Sequence, residues 1–232
     1  IIQSITSVWR GFEWGSSGGD NSNIEIGRIN TIDYVITNSG AGLSNSTINI
    51  NFARSTSQIA ANIQTSGRCV FNIDQIISDT SRAIDINGQD TRDVINVEKA
   101  IGAADVAIQV SVSATAPSSG VANDDLELNV NETTGRIQIT AANSTYFYLS
   151  LIVNRTLVKA NDYSIEIFWE SATQPQRLNL DSVRLRTANA TASIRDAGGV
   201  SPEIAAFFCI ADSEADASII NNGLPLVINS NV

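Results

Sequence analysis

The chain has 232 residues, 43% of them apolar, a formal net charge of −10 and no histidine. That length and apolar share allow a sizeable buried core and exclude wholesale disorder. An acidic chain without a Lys/Arg cluster repels phosphate, so nucleic acid and anionic membrane surfaces are not expected partners.

The missing histidine removes Ser-His and Cys-His nucleophile pairs, most zinc and haem sites and the commonest general base. No glycine-rich phosphate loop of Walker or Rossmann spacing occurs, so the expectation is a non-enzyme without a cofactor. The apolar run Ile204-Ala-Ala-Phe-Phe-Cys-Ile-Ala211 falls far short of the roughly 20 residues a spanning helix needs, so no membrane span is expected. No methionine occurs, even at position 1. A chain that starts Ile1-Ile2 reads as processed, with removal of a signal peptide the simplest route to an extracellular location.

In chain order, an apolar segment, Ile1–Trp14, comes first and a loose Gly/Ser/Asn stretch, Gly15–Asn23, follows it. Residues 1–23 read as an extended arm with its hinge, and residues 24–232 as the body. Period-two alternation then dominates: Ile48, Ile50 and Phe52 share one face of a strand, as do Val106, Ile108, Val110 and Val112. Further strands are expected near 68–77, 126–130, 136–140, 145–153, 163–170, 178–186 and 203–211, with Asn, Ser, Gly and Asp between them. A linker-like stretch near 116–124 marks a possible subdivision of the body. No repeat of 20–50 residues is apparent, which argues against solenoids and propellers. The expected fold is all-β: an antiparallel β-sandwich, jelly-roll-like, with an extended N-terminal arm.

Candidate sites are sparse. Cys69 and Cys209 lie in apolar, strand-like runs and are either buried thiols or one disulfide; a disulfide is the expectation, which would tie the two ends of the body into one core. Asn45, Asn131, Asn143, Asn154 and Asn189 each head an Asn-x-Thr sequon and are candidate N-glycosylation sites. Asp212, Glu214 and Asp216 alternate in one loop and are the best candidates for a calcium ion. Glu166 and Glu170 flank Trp169 and are the one carboxylate pair that a sugar hydrolase would favour, although ordinary amphipathic patterning also explains them.

The Ile1–Trp9 tail, the Gly15–Gly19 hinge, the strand-rich body and the Asn-x-Thr sites together resemble secreted filament subunits of the archaeal thread and bundling-pilus type. The resemblance lies in layout, without a shared motif. It implies assembly by donor-strand complementation, in which the tail of one subunit fills a groove in the next copy of the same chain. Ile2, Ile5, Val8, Trp9, Phe12 and Trp14 would then be the anchors of the inserted strand. In the alternative placement, Ile1–Trp14 folds back as the first strand of its own body. The competing functional readings are a carbohydrate-binding module and a viral jelly-roll coat or fibre protein.

Overall fold

Short alternating segments rich in Ile and Val cannot bury one face as isolated strands, so they must find partners. In the computed structural model they pair in parallel and wind into a β-solenoid. The structure describes residues 1–6, 9–14, 21–38, 43–64, 67–88, 93–112, 125–142, 148–157, 162–170, 176–180, 183–185, 190–196, 202–206, 209–211, 217–220 and 226–228.

The first strands are β1 (Ile2–Thr6), β2 (Phe12–Trp14), β3 (Asn23–Thr31), β4 (Ile36–Asn38), β5 (Thr47–Ser55) and β6 (Ala61–Ile63). Then come β7 (Val70–Ser78), β8 (Ile84–Gly88), β9 (Val94–Val112), β10 (Asp125–Ala142), β11 (Tyr148–Leu157) and β12 (Asp162–Glu170). The last are β13 (Gln176–Leu180), β14 (Val183–Leu185), β15 (Ala190–Asp196), β16 (Pro202–Ala206), β17 (Cys209–Ala211), β18 (Ala217–Ile220) and β19 (Leu226–Ile228).

Each rung contributes to two faces. The first face stacks β1, β3, β5, β7, β9, β10, β11, β13, β16 and β19. The second stacks β2, β4, β6, β8, the far ends of β9 and β10, then β12, β15 and β18. β14 and β17 pair apart from both. β10 pairs with β9 on both faces, so the stack continues across residues 113–124 and the possible boundary at 116–124, which lies outside the described residues.

The core is built from aligned columns. Ile26, Ile50, Ile73, Val97 and Val130 follow one another in register and are all buried. The second face answers with Ile36, Ala61, Ile84, Ile108 and Ile137, buried in the same apolar cluster. Corners are fixed by hydroxyls. Ser55 Oγ donates to the Asp33 carbonyl at 2.6 Å and accepts from the Gln58 amide at 3.1 Å. Ser78 repeats this one rung later, donating to the Gln58 carbonyl at 2.7 Å and accepting from the Ser81 amide at 2.9 Å. In β10 the corner shrinks to Gly135, whose φ of +105° only glycine adopts readily; its neighbours pair with Ile101 and Val106, which stand further apart in β9.

This fold overturns two expectations. The sheet is parallel and coiled, neither an antiparallel sandwich nor a jelly roll, because period-two alternation reports which side of a strand is buried and not which way its neighbour runs. A repeat does exist: partners in successive rungs are 23 to 25 residues apart through the first half, and where β9 meets β10 they are 33 apart on the first face and 29 on the second. Residues 1–6 and 9–14 supply the first rung, with Ile2, Ser4, Ile5 and Thr6 of β1 aligned to Ile26, Arg28, Ile29 and Asn30. No helix among the described residues is long and apolar enough to cross a membrane.

Candidate functional site

On the first face, side chains at alternate positions leave the core. Glu25, Asn49, Asn72, Asn96 and Asn129 occupy one outward column in register. Their amides link rung to rung. Asn49 Nδ2 donates to Glu25 Oε1 at 2.6 Å, Asn72 to Asn49 Oδ1 at 2.7 Å, Asn96 to Asn72 at 2.8 Å and Asn129 to Asn96 at 2.9 Å. The ladder has a polarity and stops where the column reaches Ile152. Asn129 gives its other amide hydrogen to Glu127 Oε1 at 2.8 Å, and its own Oδ1 is shielded with no donor.

Two residues along each strand lies a second outward position, held by exposed Asp74, Glu98 and Asn131 in successive rungs. Asn131 Nδ2 donates to Glu98 Oε1 at 2.5 Å. Between these columns runs a groove of about 360 Å³, floored by the backbone of Ile73, Val97 and Val130, whose side chains point to the core. On an extended strand the two columns stand roughly 7 Å apart, and each repeats at roughly 4.8 Å along the stack. Beside the groove Lys99 Nζ pairs with Glu132 Oε1 at 2.6 Å, which leaves the acidic character of Asp74 and Glu98 uncompensated by that lysine.

The expected donor-strand anchors fall in the first rung. Ile2 and Ile5 are half-buried, Phe12 packs against the core and Trp9 is 71% exposed. Trp14 pairs in register with Asn38, and Val8 lies outside the described residues. Among the sequons, Asn45 is exposed in a left-handed turn (φ +49°), Asn131 lines the groove and Asn154 lies in β11 between Val153 and Arg155. Asn143 and Asn189 lie outside the described residues, as do Asp212, Glu214 and Asp216 of the expected calcium loop.

Cys69 is buried in a corner, its amide donating to Asp93 Oδ1 at 2.8 Å. Cys209 begins β17, and the ladder from β7 to its neighbour β16 runs through β9, β10, β11 and β13. At the usual strand spacing that is roughly 24 Å, against the few ångströms between Cα atoms that a disulfide tolerates. A Cys69–Cys209 bond within one chain therefore does not fit this stack. Glu166 and Glu170 share β12, four residues or roughly 13 Å apart along an extended strand. Gln138 and Arg195 stand beside Glu166 in register, and Ala142 stands beside Glu170.

The amide ladder and its groove were not anticipated from the sequence. The signal was present in the shared pattern Ile48-Asn-Ile-Asn51, Phe71-Asn-Ile-Asp74, Ile95-Asn-Val-Glu98 and Leu128-Asn-Val-Asn131. Comparison with protein-family models, with curated proteins and with solved structures finds no match to this chain.

Proposed function

We propose that the chain is a structural rod of an extracellular or cell-surface filament, lengthened by end-to-end stacking of copies. The state of the first rung supports this reading most. Among the described residues β1 is paired along one flank only, to β3. Ile1 beside it is fully exposed, Trp9 is 71% exposed, and Ile2 and Ile5 are half-buried. A parallel edge with an apolar flank is a template for another strand. Stacking a rung from a second copy on β1 would satisfy that edge and extend the aligned core columns, the contact every internal rung already makes.

In this reading the anchors expected of an inserted strand become the acceptor edge. Ile1 and Trp9 carry exposed side chains, so the double variant Ile1→Asp/Trp9→Asp should fold normally and remain monomeric at concentrations where the parent chain forms fibres in negative stain. Fibres of unchanged length and abundance from that variant would sink the proposal. Removing residues 1–14 is a poorer test, because it bares β3, whose Ile24 and Ile26 offer an equivalent edge.

A further inference from the structure

We infer that the groove between the amide ladder and the Asp74–Glu98 column is a binding site for a neutral polysaccharide chain lying along the stack. The two walls differ in what they offer. Asn72 and Asn96 each spend one amide hydrogen on the ladder, which leaves the second hydrogen for a ligand oxygen. Across the groove the exposed carboxylates of Asp74 and Glu98 only accept.

A hydroxyl both donates and accepts, so a sugar bearing several can donate to the carboxylate wall while accepting from the amide wall. The pairing of amide with carboxylate recurs in two successive rungs, Asn72 with Asp74 and Asn96 with Glu98. A repeating ligand suits a repeating wall. The groove is open and runs across strands, so it takes a chain lengthwise rather than a compact molecule. A peptide strand gains little here, because the floor is a sheet face whose backbone groups are already paired within the stack. Asp74 and Glu98 repel sulfated and uronic-acid polymers, which restricts the class to uncharged chains.

The test measures binding of the full chain to neutral β-linked glucan and N-acetylglucosamine oligosaccharides, with hyaluronan as the acidic comparison, by titration calorimetry. A neutral oligosaccharide should bind and hyaluronan should not. Asp74→Leu/Glu98→Leu alters only exposed side chains and should weaken binding about 100-fold, the loss of two charge-assisted hydrogen bonds. Asn96→Leu should also weaken binding, by less than the carboxylate pair does, while Glu13→Gln on the second face should leave it unchanged. Should Asn96→Leu fail to fold, the carboxylate pair still decides the matter. Unchanged affinity in Asp74→Leu/Glu98→Leu, tighter binding of hyaluronan or no binding across the panel would each overturn the assignment. Binding lost on adding a chelator would overturn it too, by giving the carboxylates to a metal ion.

Discussion

Asn96 donates to Asn72 across one rung at 2.8 Å, and it accepts from Asn129 across the next at 2.9 Å. One amide thus joins three rungs, and the neighbouring Asn residues that meet it are part-buried. A hydrogen bond of this kind contributes about 1 kcal/mol net, so Asn96→Ala should lower the unfolding free energy by about 2 kcal/mol. The Asn72→Ala/Asn96→Ala double variant should lose less than the sum of the single ones, since both remove the same bond. Urea midpoints would measure this. Full additivity would mean that the ladder amides act independently and do not hold the register.

Strand positions were legible in the sequence, and the winding was not. The alternation in Ile48-Asn-Ile-Asn-Phe52 fixes an inward and an outward side, and up to Asn51 it holds: Ile48 and Ile50 are buried, Asn49 is half-buried and Asn51 exposed. The pattern then slips: Asn51 and Phe52 both lie outside the core before Ala53 turns in again. That slip bends the strand and recurs at Asp74/Gln75 and Glu98/Lys99, with Ile76 and Ala100 turning back in. A strict period-two reading discards it as noise. The repeat was also masked by corners of unequal length, four residues from Gly102 to Asp105 and Gly135 alone in the next rung. The groove depends on which rungs are adjacent, so it could not be read before the winding was known.

Gly27 tests whether the first rung belongs to its own chain. A Cβ on Gly27 would sit 2.5 Å from the Gln3 carbonyl oxygen, a backbone atom that moves only with β1. Gly27→Ala should therefore displace β1 and raise amide exchange at Ser4, Ile5 and Thr6. Exchange in β7 and β9 should stay near the parent level, because rungs of a solenoid contact only their neighbours. Unaltered exchange in residues 4–6 would show that β1 does not pair with β3 within the same chain.

Phe71 is fully buried between Ile48 and Ile95 in one inward column. Truncation removes a ring from a site that the two flanking rungs hold open, so Phe71→Ala should cost about 3–5 kcal/mol. The loss should appear first as local opening of β5, β7 and β9, measured by hydrogen exchange. Uniform loss of protection from β1 to β12 would mean the stack unfolds as one cooperative unit instead.

The cysteines give a chemical check on the winding. With Cys69 and Cys209 roughly 24 Å apart along the stack, oxidising conditions should not join them within one chain. The denatured, unreduced monomer should take up two alkylating groups, and reduction should not alter its mass or its melting temperature. A monomer that accepts none until reduced would require the two residues to meet, and the order of rungs between β7 and β16 would have to be wrong.

Asp85 carries the pH dependence that the structure makes explicit. It lies on the second face between Asn62 and Gln109 in register and is almost fully buried. Arg82 Nη2 stands 3.3 Å from its Oδ2, while its Oδ1 has no partner. Burial raises its pKa above the ordinary 3.8, and the Arg82 charge offsets this only in part. Below pH 3.8 the group is protonated in both the folded and the unfolded chain and contributes no pH dependence. As pH rises, the unfolded chain ionises first, so stability falls through the window between 3.8 and the higher folded value and stays lower above it. Asp85→Asn removes that penalty and keeps a hydrogen-bonding side chain of the same size beside Gln109. Its midpoint in urea should exceed the parent's at about pH 7 and match it at about pH 3. A variant less stable than the parent at neutral pH would mean that the Arg82 ion pair outweighs the cost of burying the carboxylate.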